Sequence, residues 1–438
     1  MKPTLTLSIA LASLMQFSVA TASGQGLLDI YQKAVEQDPA LAGAQFASAA
    51  SEEKSKQGLS LLLPKMSASA NVSYNHSIRD AGDGETTNTS DGRSIALQLS
   101  QPVFRSADYK SYSQSKIVSS QGDVQLKLAE QDLILRVSQA YFNVLSADEN
   151  LQVAISQTKA FKESLERAKL TFKVGTATKT DKLEAQARFD LARASEISAQ
   201  NQLAIANQSL ASIIGEAPAK LKSLKTDAKL VELKANDIQH WVDTAISNNL
   251  QLQLINSGYK ISQIEVSKLK SDRLPTLDFI ANASNSKSFF ISSNTTTTQA
   301  SVALQLAMPI YTGGLMSSRI REAESLKSQQ AQVKINTQRQ VILQAQQSYL
   351  NSYNGLQQVS ALRQALKSSN SALKATQKGV EVGVRTNLDL LDSQQQFFST
   401  QRDYTFAKYN YLLSILNLKA AAGVLAKSDI ENLDLLLK

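Results

Sequence analysis

The chain has 438 residues, a formal net charge of +8, no cysteine and two histidines. Without cysteine it can form no disulfide, and His76 and His240 alone leave almost no room for a histidine-rich metal site or a Ser-His-Asp triad. The basic residues are interleaved with acidic ones, so the charge indicates solvated helix surfaces and no nucleic-acid partner.

Residues 1–22 have the pattern of a secretory signal peptide. Lys2 supplies a positive charge, residues 5–19 form a mostly apolar core, and residues 20–22 (ATA) form a small-residue cleavage site. We predict cleavage after the second alanine, Ala22, with cleavage after the first as the alternative. No other segment reaches the roughly 18 apolar residues of a membrane-spanning helix. The mature chain is therefore expected to be exported, and either to stay soluble in the periplasm or to enter a membrane as strands.

Apolar and small polar residues alternate in two segments near the start of the chain and in one near residue 300. The apolar positions are Met66, Ala68, Ala70, Val72, Tyr74, Ile95, Leu97, Leu99, Val302, Leu304, Leu306 and Met308. This period of two predicts strands of about ten residues, which fit a soluble β-sandwich as well as a transmembrane barrel with a wet lumen. The polar segments 79–93 (RDAGDGETTNTSDGR) and 292–299 (SSNTTTTQ) are expected to be loops. Long polar loops on one side favour the outer-membrane interpretation.

After the first strand pair, apolar and small residues recur at alternating steps of four and three. The series is Leu133, Val137, Ala140, Val144, Ala147, Leu151, Ala154, Thr158, Phe161, Leu165, Ala168 and Phe172. A similar series runs from Ala185 to Ile213. A period of 3.5 sustained over this length predicts coiled-coil packing. A helix over about 118–174 would be roughly 85 Å long at 1.5 Å per residue, which a tube or rod can hold and a compact globule cannot.

The chain is one pattern written twice. Residues 94–99 (SIALQL) recur as 301–306 (SVALQL), and residues 140–143 (AYFN) recur 208 residues later as 348–351 (SYLN). Each half has the same predicted order: helix, strand, polar loop, strand, long helix, tight break and return helix. The predicted organisation is a first repeat over 23–217, a linker over 218–238, a second repeat over 239–424 and a C-terminal tail over 425–438.

Four strands per chain are too few to close a barrel, since transmembrane barrels begin at about eight strands. Two chains would give a narrow barrel filled by side chains, and three would give twelve strands and space for a lumen. The small polar residues on the inward face favour three. We therefore expect a mainly α-helical protein with transmembrane β-structure. In this homotrimer a 12-stranded β-barrel, four strands from each chain, would continue into a long coiled-coil α-helical barrel.

Several short motifs resemble landmarks of one known family. They are residues 62–64 (LLP), 274–277 (LPTL), 308–314 (MPIYTGG), 140–145 (AYFNVL) and 409–412 (YNYL). Their joint order, together with the duplication, resembles the TolC family of outer-membrane efflux and secretion proteins over essentially the whole mature chain. The resemblance implies a homotrimer in the outer membrane of a Gram-negative cell, with a long helical barrel in the periplasm. It also implies an irregular belt around the middle, formed by residues 216–238 and the C-terminal tail.

The resemblance implies that the periplasmic entrance lies at the two helix turns. Asp389 and Asp392 match the two entrance aspartates of the family, and their spacing of three lets both face one side of a helix. In a trimer they would form stacked carboxylate rings that bind cations and could be blocked by them. The alternative is that both carboxylates only solvate the first turn of a helix, where the helix dipole favours them.

Arg385, Thr180 and Asp181 match family positions that link neighbouring helices and hold the entrance shut. An arginine that bridges to Asp181 would be a polar latch that an adaptor protein could break. Val380 replaces the family's tyrosine in this network, so the latch here could be weaker or differently arranged.

The implied function is a passive exit duct for efflux or type I secretion. An inner-membrane ABC or proton-driven transporter would feed it through a periplasmic adaptor (membrane fusion protein). The duct needs no cofactor, no catalytic residue and no structural metal, because the partner supplies the energy. The alternative is a soluble periplasmic coiled-coil adaptor or spacer, which accounts for the heptads but not for two strand pairs with polar tips. The cargo stays open.

Overall fold

The computed structural model describes residues 24–80, 82–225, 232, 237–290 and 293–438. Within these ranges the elements are α1 (Leu27–Gln37), α2 (Pro39–Leu59), β1 (Lys65–Asp80), β2 (Glu85–Phe104), α3 (Ser106–Lys173), α4 (Lys179–Ile214), α5 (Ile238–Asn248), α6 (Leu250–Ser271), β3 (Thr276–Phe290), β4 (Ser293–Ala307), α7 (Leu315–Glu381), α8 (Asn387–Ala421) and α9 (Lys427–Asp434). The order of two helices, two strands, a long helix and a return helix occurs twice, which confirms the internal duplication. The predicted signal peptide over 1–22 and much of the linker over 218–238 lie outside the described residues.

Two very long helices, α3 and α7, run the length of the helical part of the subunit. They contain 68 and 67 residues, so each is roughly 100 Å long. α3 begins earlier than the sequence pattern predicted. Its first stretch has no apolar heptad seam because polar contacts replace it, such as the hydrogen bond from the Gln114 amide to the Glu265 carboxylate of α6 (2.8 Å). None of the helices in the described ranges has the combination of length and hydropathy that a bilayer-crossing helix requires.

Shorter helices cover α3 and α7 in two tiers. In the tier nearest the strands, α2 packs on α3, and α6 lies between α3 and α7. In the far tier, α4 packs on α3, and α8 lies between α3 and α7. The tiers meet where helices end: Gly215 at the end of α4 approaches Gln37, and the Asn249 amide donates to the carbonyl oxygen of Ala421 at the end of α8 (3.0 Å). Each tier is therefore four helices side by side.

Most residues of the heptad seams predicted from the sequence are buried, and Phe172 at the end of the α3 seam is exposed. On α4, Ala185, Ala192, Ala199 and Ala206 repeat at a spacing of seven and are all buried. The first two pack in a cluster with Phe161 and its neighbours on α3. Small residues at regular heptad positions let two helices approach closely along their whole length.

The four strands form one antiparallel sheet in the order β1-β2-β3-β4. Directly opposite residues share a face, and the register brings the alternating apolar residues of the strands onto the same face. Met66 opposes Leu99, and Phe279 opposes Leu304. Within the described residues, β1 and β4 each have one edge without a partner strand.

The strands are longer than predicted, and the expectation that residues 79–93 and 292–299 are loops was largely wrong. Asp80 opposes Glu85, and the β3–β4 ladder continues to Ser293, so most of these polar residues extend the hairpins. Threonine is β-branched and favours extended backbone, and each added residue gains a cross-strand neighbour. Polarity at these positions therefore does not mark the end of a strand.

An irregular belt lies across the middle of α3. Leu224 in the linker pairs with Leu437 in the C-terminal tail. The buried Tyr141 side chain on α3 donates its hydroxyl to the carbonyl oxygens of Gln25 (3.1 Å) and Lys222 (2.8 Å). The N-terminal segment, the linker and the C-terminal segment are thus joined at one level, around the largest apolar cluster of the subunit.

Candidate functional site at the helix turns

The two helix pairs reverse direction in matched turns, at the end of the subunit farthest from the sheet. In each turn a glycine adopts a left-handed backbone: Gly175 between α3 and α4 (φ +80°) and Gly383 between α7 and α8 (φ +77°). A residue with a Cβ atom is strained at such φ values. This requirement accounts for the glycine that follows a valine at both turns.

Each return helix begins with the same threonine–aspartate cap. The Asp181 carboxylate accepts hydrogen bonds from the backbone N–H (2.8 Å) and the hydroxyl (2.9 Å) of Thr178. The Asp389 carboxylate accepts the same two bonds from Thr386, both at 2.9 Å. Each threonine hydroxyl accepts the aspartate's backbone N–H in return. The reciprocal bonds satisfy N–H groups that the start of a helix leaves unpaired.

The cap also affects the charge of Asp389. The hydrogen bond from the Thr386 backbone N–H, followed by that from its hydroxyl, holds the pKa of the Asp389 carboxyl below its usual value of 3.8. The nearby positive charge of Arg385 lowers this pKa further. Because all three favour the charged form, Asp389 is ionised at neutral pH.

Asp392, one turn further along α8, contacts the other helix pair. Its Oδ1 atom accepts a hydrogen bond from Nη2 of Arg188 on α4 at 2.8 Å. The pair is partly exposed, with 35% of the Arg188 side chain and 59% of the Asp392 side chain accessible. Sequence reasoning missed Arg188. The available signal was weak: Arg188 follows Asp181 by one heptad and so lies on the same side of α4.

The residues of the predicted latch lie at the same turns but are not joined to one another within the chain. The aliphatic stem of Arg385 folds over Gly379, where an added Cβ atom would lie 2.6 Å from the Arg385 Cγ atom. Among the described residues, no hydrogen bond or ion pair connects Arg385 to Thr180 or Asp181. Val380 is half-buried and has no hydroxyl to donate. A latch between neighbouring subunits stays a prediction.

Next to the turn, on the side toward the sheet, apolar and polar contacts hold α8 against α3. Leu391 is 1% exposed and packs in a cluster with Phe161 and Leu165 of α3. The buried Ser164 hydroxyl donates to the side-chain oxygen of Gln394 at 3.2 Å. α8 cannot move away from α3 without separating these groups.

At the opposite end of the subunit, the sheet exposes its apolar face. On β4, Val302, Leu304 and Leu306 are 70%, 67% and 69% exposed. A continuous apolar surface of this kind is typical of a lipid-facing or partner-facing surface. Arg105, just before α3, donates to both carboxylate oxygens of Asp278 on β3 at 2.7 Å, which ties the sheet to the long helix.

Comparisons with known proteins agree with this architecture. The family model described as "Outer membrane efflux protein" matches residues 30–216 and 241–424, one match in each half of the chain. Outer membrane protein TolC of Vibrio cholerae serotype O1 is 30% identical over 425 residues, which cover 94% of this chain and 94% of that protein. The proteases secretion protein PrtF of Dickeya chrysanthemi is 28% identical over 438 residues, which cover 97% of this chain and 94% of that protein.

A solved structure shows the same fold at lower sequence identity. The Campylobacter jejuni CmeC outer membrane channel has a TM-score of 0.77 at 16% identity, and the match covers 99% of this chain and 97% of that one. The predicted mainly α-helical fold with four strands per chain and the predicted outer-membrane location are confirmed. The matches to the family model include both strand pairs as well as the helices. The alternative of a soluble coiled-coil spacer does not explain a match over the strands. The chain belongs to the outer membrane efflux protein family, a family of transport channels.

Proposed function

We propose that three copies of this chain form the exit duct of a tripartite efflux or type I secretion system, which passively conducts substrates to the cell exterior. The observation that carries the proposal is the union of an exposed apolar sheet with helices of roughly 100 Å in one subunit. The sheet suits the hydrocarbon layer of the outer membrane, and the helices reach far into the periplasm. The duct performs no catalysis and uses no cofactor, because a partner supplies the energy.

Barrel closure is the reason for three subunits. Free N–H and C=O groups at a sheet edge cannot be satisfied by lipid. If β1 of one copy pairs with β4 of the next, three copies of this four-stranded sheet close a 12-stranded barrel with room for a lumen. Ser67, Gln98 and Asn282, which oppose one another on the polar face, would line that lumen.

The proposed partners are a periplasmic adaptor (membrane fusion protein) and an inner-membrane ABC or proton-driven transporter. One relative is named for outer-membrane location alone and another for the secretion of proteases. The two are similar in identity to this chain, so identity does not choose between small-molecule and protein cargo. The energy-coupling step would lie in the transporter in either case.

We assign the periplasmic entrance to the turns at the far end of the helices. In the trimer, Asp389 and Asp392 would form two carboxylate rings one helical turn apart. Both cap bonds to Asp389 use its Oδ2 atom, as do both cap bonds to Asp181. The Oδ1 atoms are outside the caps, so Asp389 could bind a cation and Asp181, beside Thr180, could accept a bond from Arg385 of a neighbouring subunit.

Planar-bilayer recordings of the purified protein test the duct and its acidic entrance together. We expect the wild type to conduct and to be blocked by a multivalent cation added on the periplasmic side. The Asp389→Asn/Asp392→Asn variant should conduct but need a cation concentration on the order of tenfold higher for the same block.

Asp190→Asn is the matched control, because Asp190 is an exposed carboxylate on α4 whose hydrogen bonds, among the residues that the structure describes, all come from Gln186 of its own helix. It should be blocked like the wild type. If the cation blocks all three proteins equally, Asp389 and Asp392 are not the cation site, but the protein is still a channel. A wild type that neither conducts nor fractionates with the outer membrane would contradict the duct itself.

A further inference from the structure

Beside the apolar packing of Leu391, three side-chain hydrogen bonds among the described residues join the beginning of α8 to the helices of the first repeat. They are Arg188–Asp392 (2.8 Å), Gln157–Gln395 (3.0 Å) and Ser164–Gln394 (3.2 Å). Only the first joins two charged groups. The next ion pair between the repeats along α8, Lys408–Glu149 (3.1 Å), lies about four helical turns further from the entrance.

Asp181, Asp389 and Arg385, the other residues of the predicted entrance, each make their contacts within their own turn. Asp181 and Asp389 each accept both cap bonds from the threonine three residues before them, so the caps do not connect helices of different repeats. Arg385 packs its stem on Gly379 at the end of α7. Within the described part of the chain, Arg188–Asp392 is therefore the charged contact between the repeats at this end.

We propose that Arg188 is a tie within each subunit that holds α8 against α4 and thereby keeps the entrance narrow. The inference rests on the proposed function, since it takes the helix turns to be the entrance of a duct. α8 carries both entrance aspartates and lies between α3 and α7. When the tie breaks, α8 loses its charged link to α4 and keeps only the apolar packing of Leu391, and the Asp392 carboxylate is freed at the same moment.

The strength of the pair suits a gate that must open. An exposed ion pair shifts an equilibrium by roughly two- to fivefold, and in a trimer each subunit would open or close its own tie independently. Its attraction is screened beyond about 10 Å in 0.1 M salt and beyond about 3 Å in 1 M salt. The contribution of the tie should therefore be largest at low ionic strength.

Bilayer recordings of single and paired variants test the tie. We expect Arg188→Gln and Asp392→Asn each to raise the mean conductance roughly two- to fivefold in low salt, and by less in 1 M salt. Arg188→Gln should add nothing in the Asp392→Asn background. The charge exchange Arg188→Asp/Asp392→Arg should restore conductance toward the wild-type level.

Arg193→Gln is the matched control for loss of a positive charge. Arg193 is exposed on the same helix and takes part in no ion pair in the part of the chain that the structure describes. It should conduct like the wild type. Equal conductance of the Arg188→Gln and Arg193→Gln variants, or additive effects of Arg188→Gln and Asp392→Asn, would overturn the proposal.

Hydrogen–deuterium exchange of the purified protein measures the tie without conduction. Residues 387–396 should exchange several-fold faster in the Arg188→Gln variant than in the wild type. The Asp392→Asn variant should show the same increase, and combining the two substitutions should not increase the exchange rate further. If exchange changes in this way and neither the wild type nor any variant conducts, the tie stands and the proposed duct fails. If the wild type conducts but neither exchange nor conductance responds to Arg188→Gln, the duct stands and the tie fails.

Discussion

Asp181 and Asp389 occupy the same position in the two repeats, and each is held by the threonine three residues before it. For Asp389, an alternative to a channel role was that it only solvates the start of a helix. The structure shows that it does cap the helix, through one carboxylate oxygen. The other oxygen is outside the cap, so capping and a role at the entrance are compatible in one residue.

Because the two caps are copies, each is a control for the other. We expect Asp389→Asn to speed hydrogen exchange several-fold at residues 387–391 and to leave residues 179–183 unchanged, since the cap bonds are local to each helix start. Asp181→Asn should have the reverse effect. Faster exchange at both sites in either variant would show that the caps are coupled.

The cap of α8 should also depend on pH in a defined direction. The pKa of Asp389 is lowered in the folded protein, so its stabilising effect is complete above the ordinary value of 3.8 and is lost as the pH falls through the lower folded-state pKa. At neutral pH the cap is intact.

Local features of the site could be predicted from sequence, and contacts between repeats could not. Both caps follow a Thr-x-x-Asp pattern, and the spacing of Asp389 and Asp392 placed them one turn apart. Arg188 lies far from Asp392 in sequence. Their contact depends on how α4 and α8 pack, which no local pattern specifies.

At the scale of elements, the junction between α1 and α2 depends on one buried carboxylate. Asp38 is 4% exposed and caps α2 by accepting the Leu41 backbone N–H at 2.8 Å. It also accepts two hydrogen bonds from Arg136 of α3, at 2.8 and 3.0 Å. These bonds fix both helices on the middle of α3, beside the belt.

We expect Asp38→Ala to lower the free energy of unfolding by about 2 to 3 kcal/mol, because it removes a cap and leaves Arg136 without its buried partner. Asp132→Ala is the control: its exposed pair with the same arginine should contribute less than about 1 kcal/mol. Thermal unfolding of both variants in detergent, monitored by circular dichroism, measures the two losses of stability. Equal losses in the two variants would contradict the special role of Asp38.

The Asp38 contribution should disappear in acid. The Arg136 hydrogen bonds are the largest cause that lowers the pKa of Asp38, against a smaller opposing effect of burial. The stabilisation is therefore complete above the ordinary pKa of 3.8 and is lost as the pH falls through the lower folded-state value. The difference between wild type and Asp38→Ala should narrow over that interval.

Element types were predictable, but element ends were less so. Heptad spacing identified the coiled-coil helices and alternation identified the strands. The polar hairpin ends were not predicted as strands because the prediction relied on alternating apolar residues. Residues 85–93 lack that alternation and continue the strand through cross-strand pairing. The start of α3 was not predicted for a similar reason. Polar contacts such as that of Gln114 with Glu265 hold this part of the helix, and it has no apolar heptad pattern.

At the scale of the whole molecule, the two faces of the sheet should tolerate substitution differently. Leu304→Arg places a charge on the apolar face and should lower the stability of the membrane-inserted protein by on the order of 2 kcal/mol. Ala303→Arg, one residue away, points to the opposite face and should leave stability nearly unchanged while altering ion selectivity. Unfolding by denaturant in lipid vesicles and reversal potentials in bilayers measure the two effects. Equal destabilisation would contradict the assignment of the faces.

The tube-like architecture was predictable because even the helix of roughly 85 Å that the heptads indicated has no place in a compact globule. Four strands that cannot close by themselves pointed to an assembly. The way in which the repeats interlock, with α8 between α3 and α7, required the structure. It arises from many small contacts along the seams, none of which is distinctive in sequence.

The unpaired edges of β1 and β4 have a genetic consequence. In a closed barrel, β1 of each copy must pair with one neighbour and β4 with the other. One copy with a defective edge therefore prevents closure of a barrel that also contains two normal copies. When a variant with a blocked edge is produced beside the wild type, most trimers would contain at least one variant copy. Mutations at these edges should therefore be dominant, whereas mutations that prevent the subunit from folding at all should be recessive.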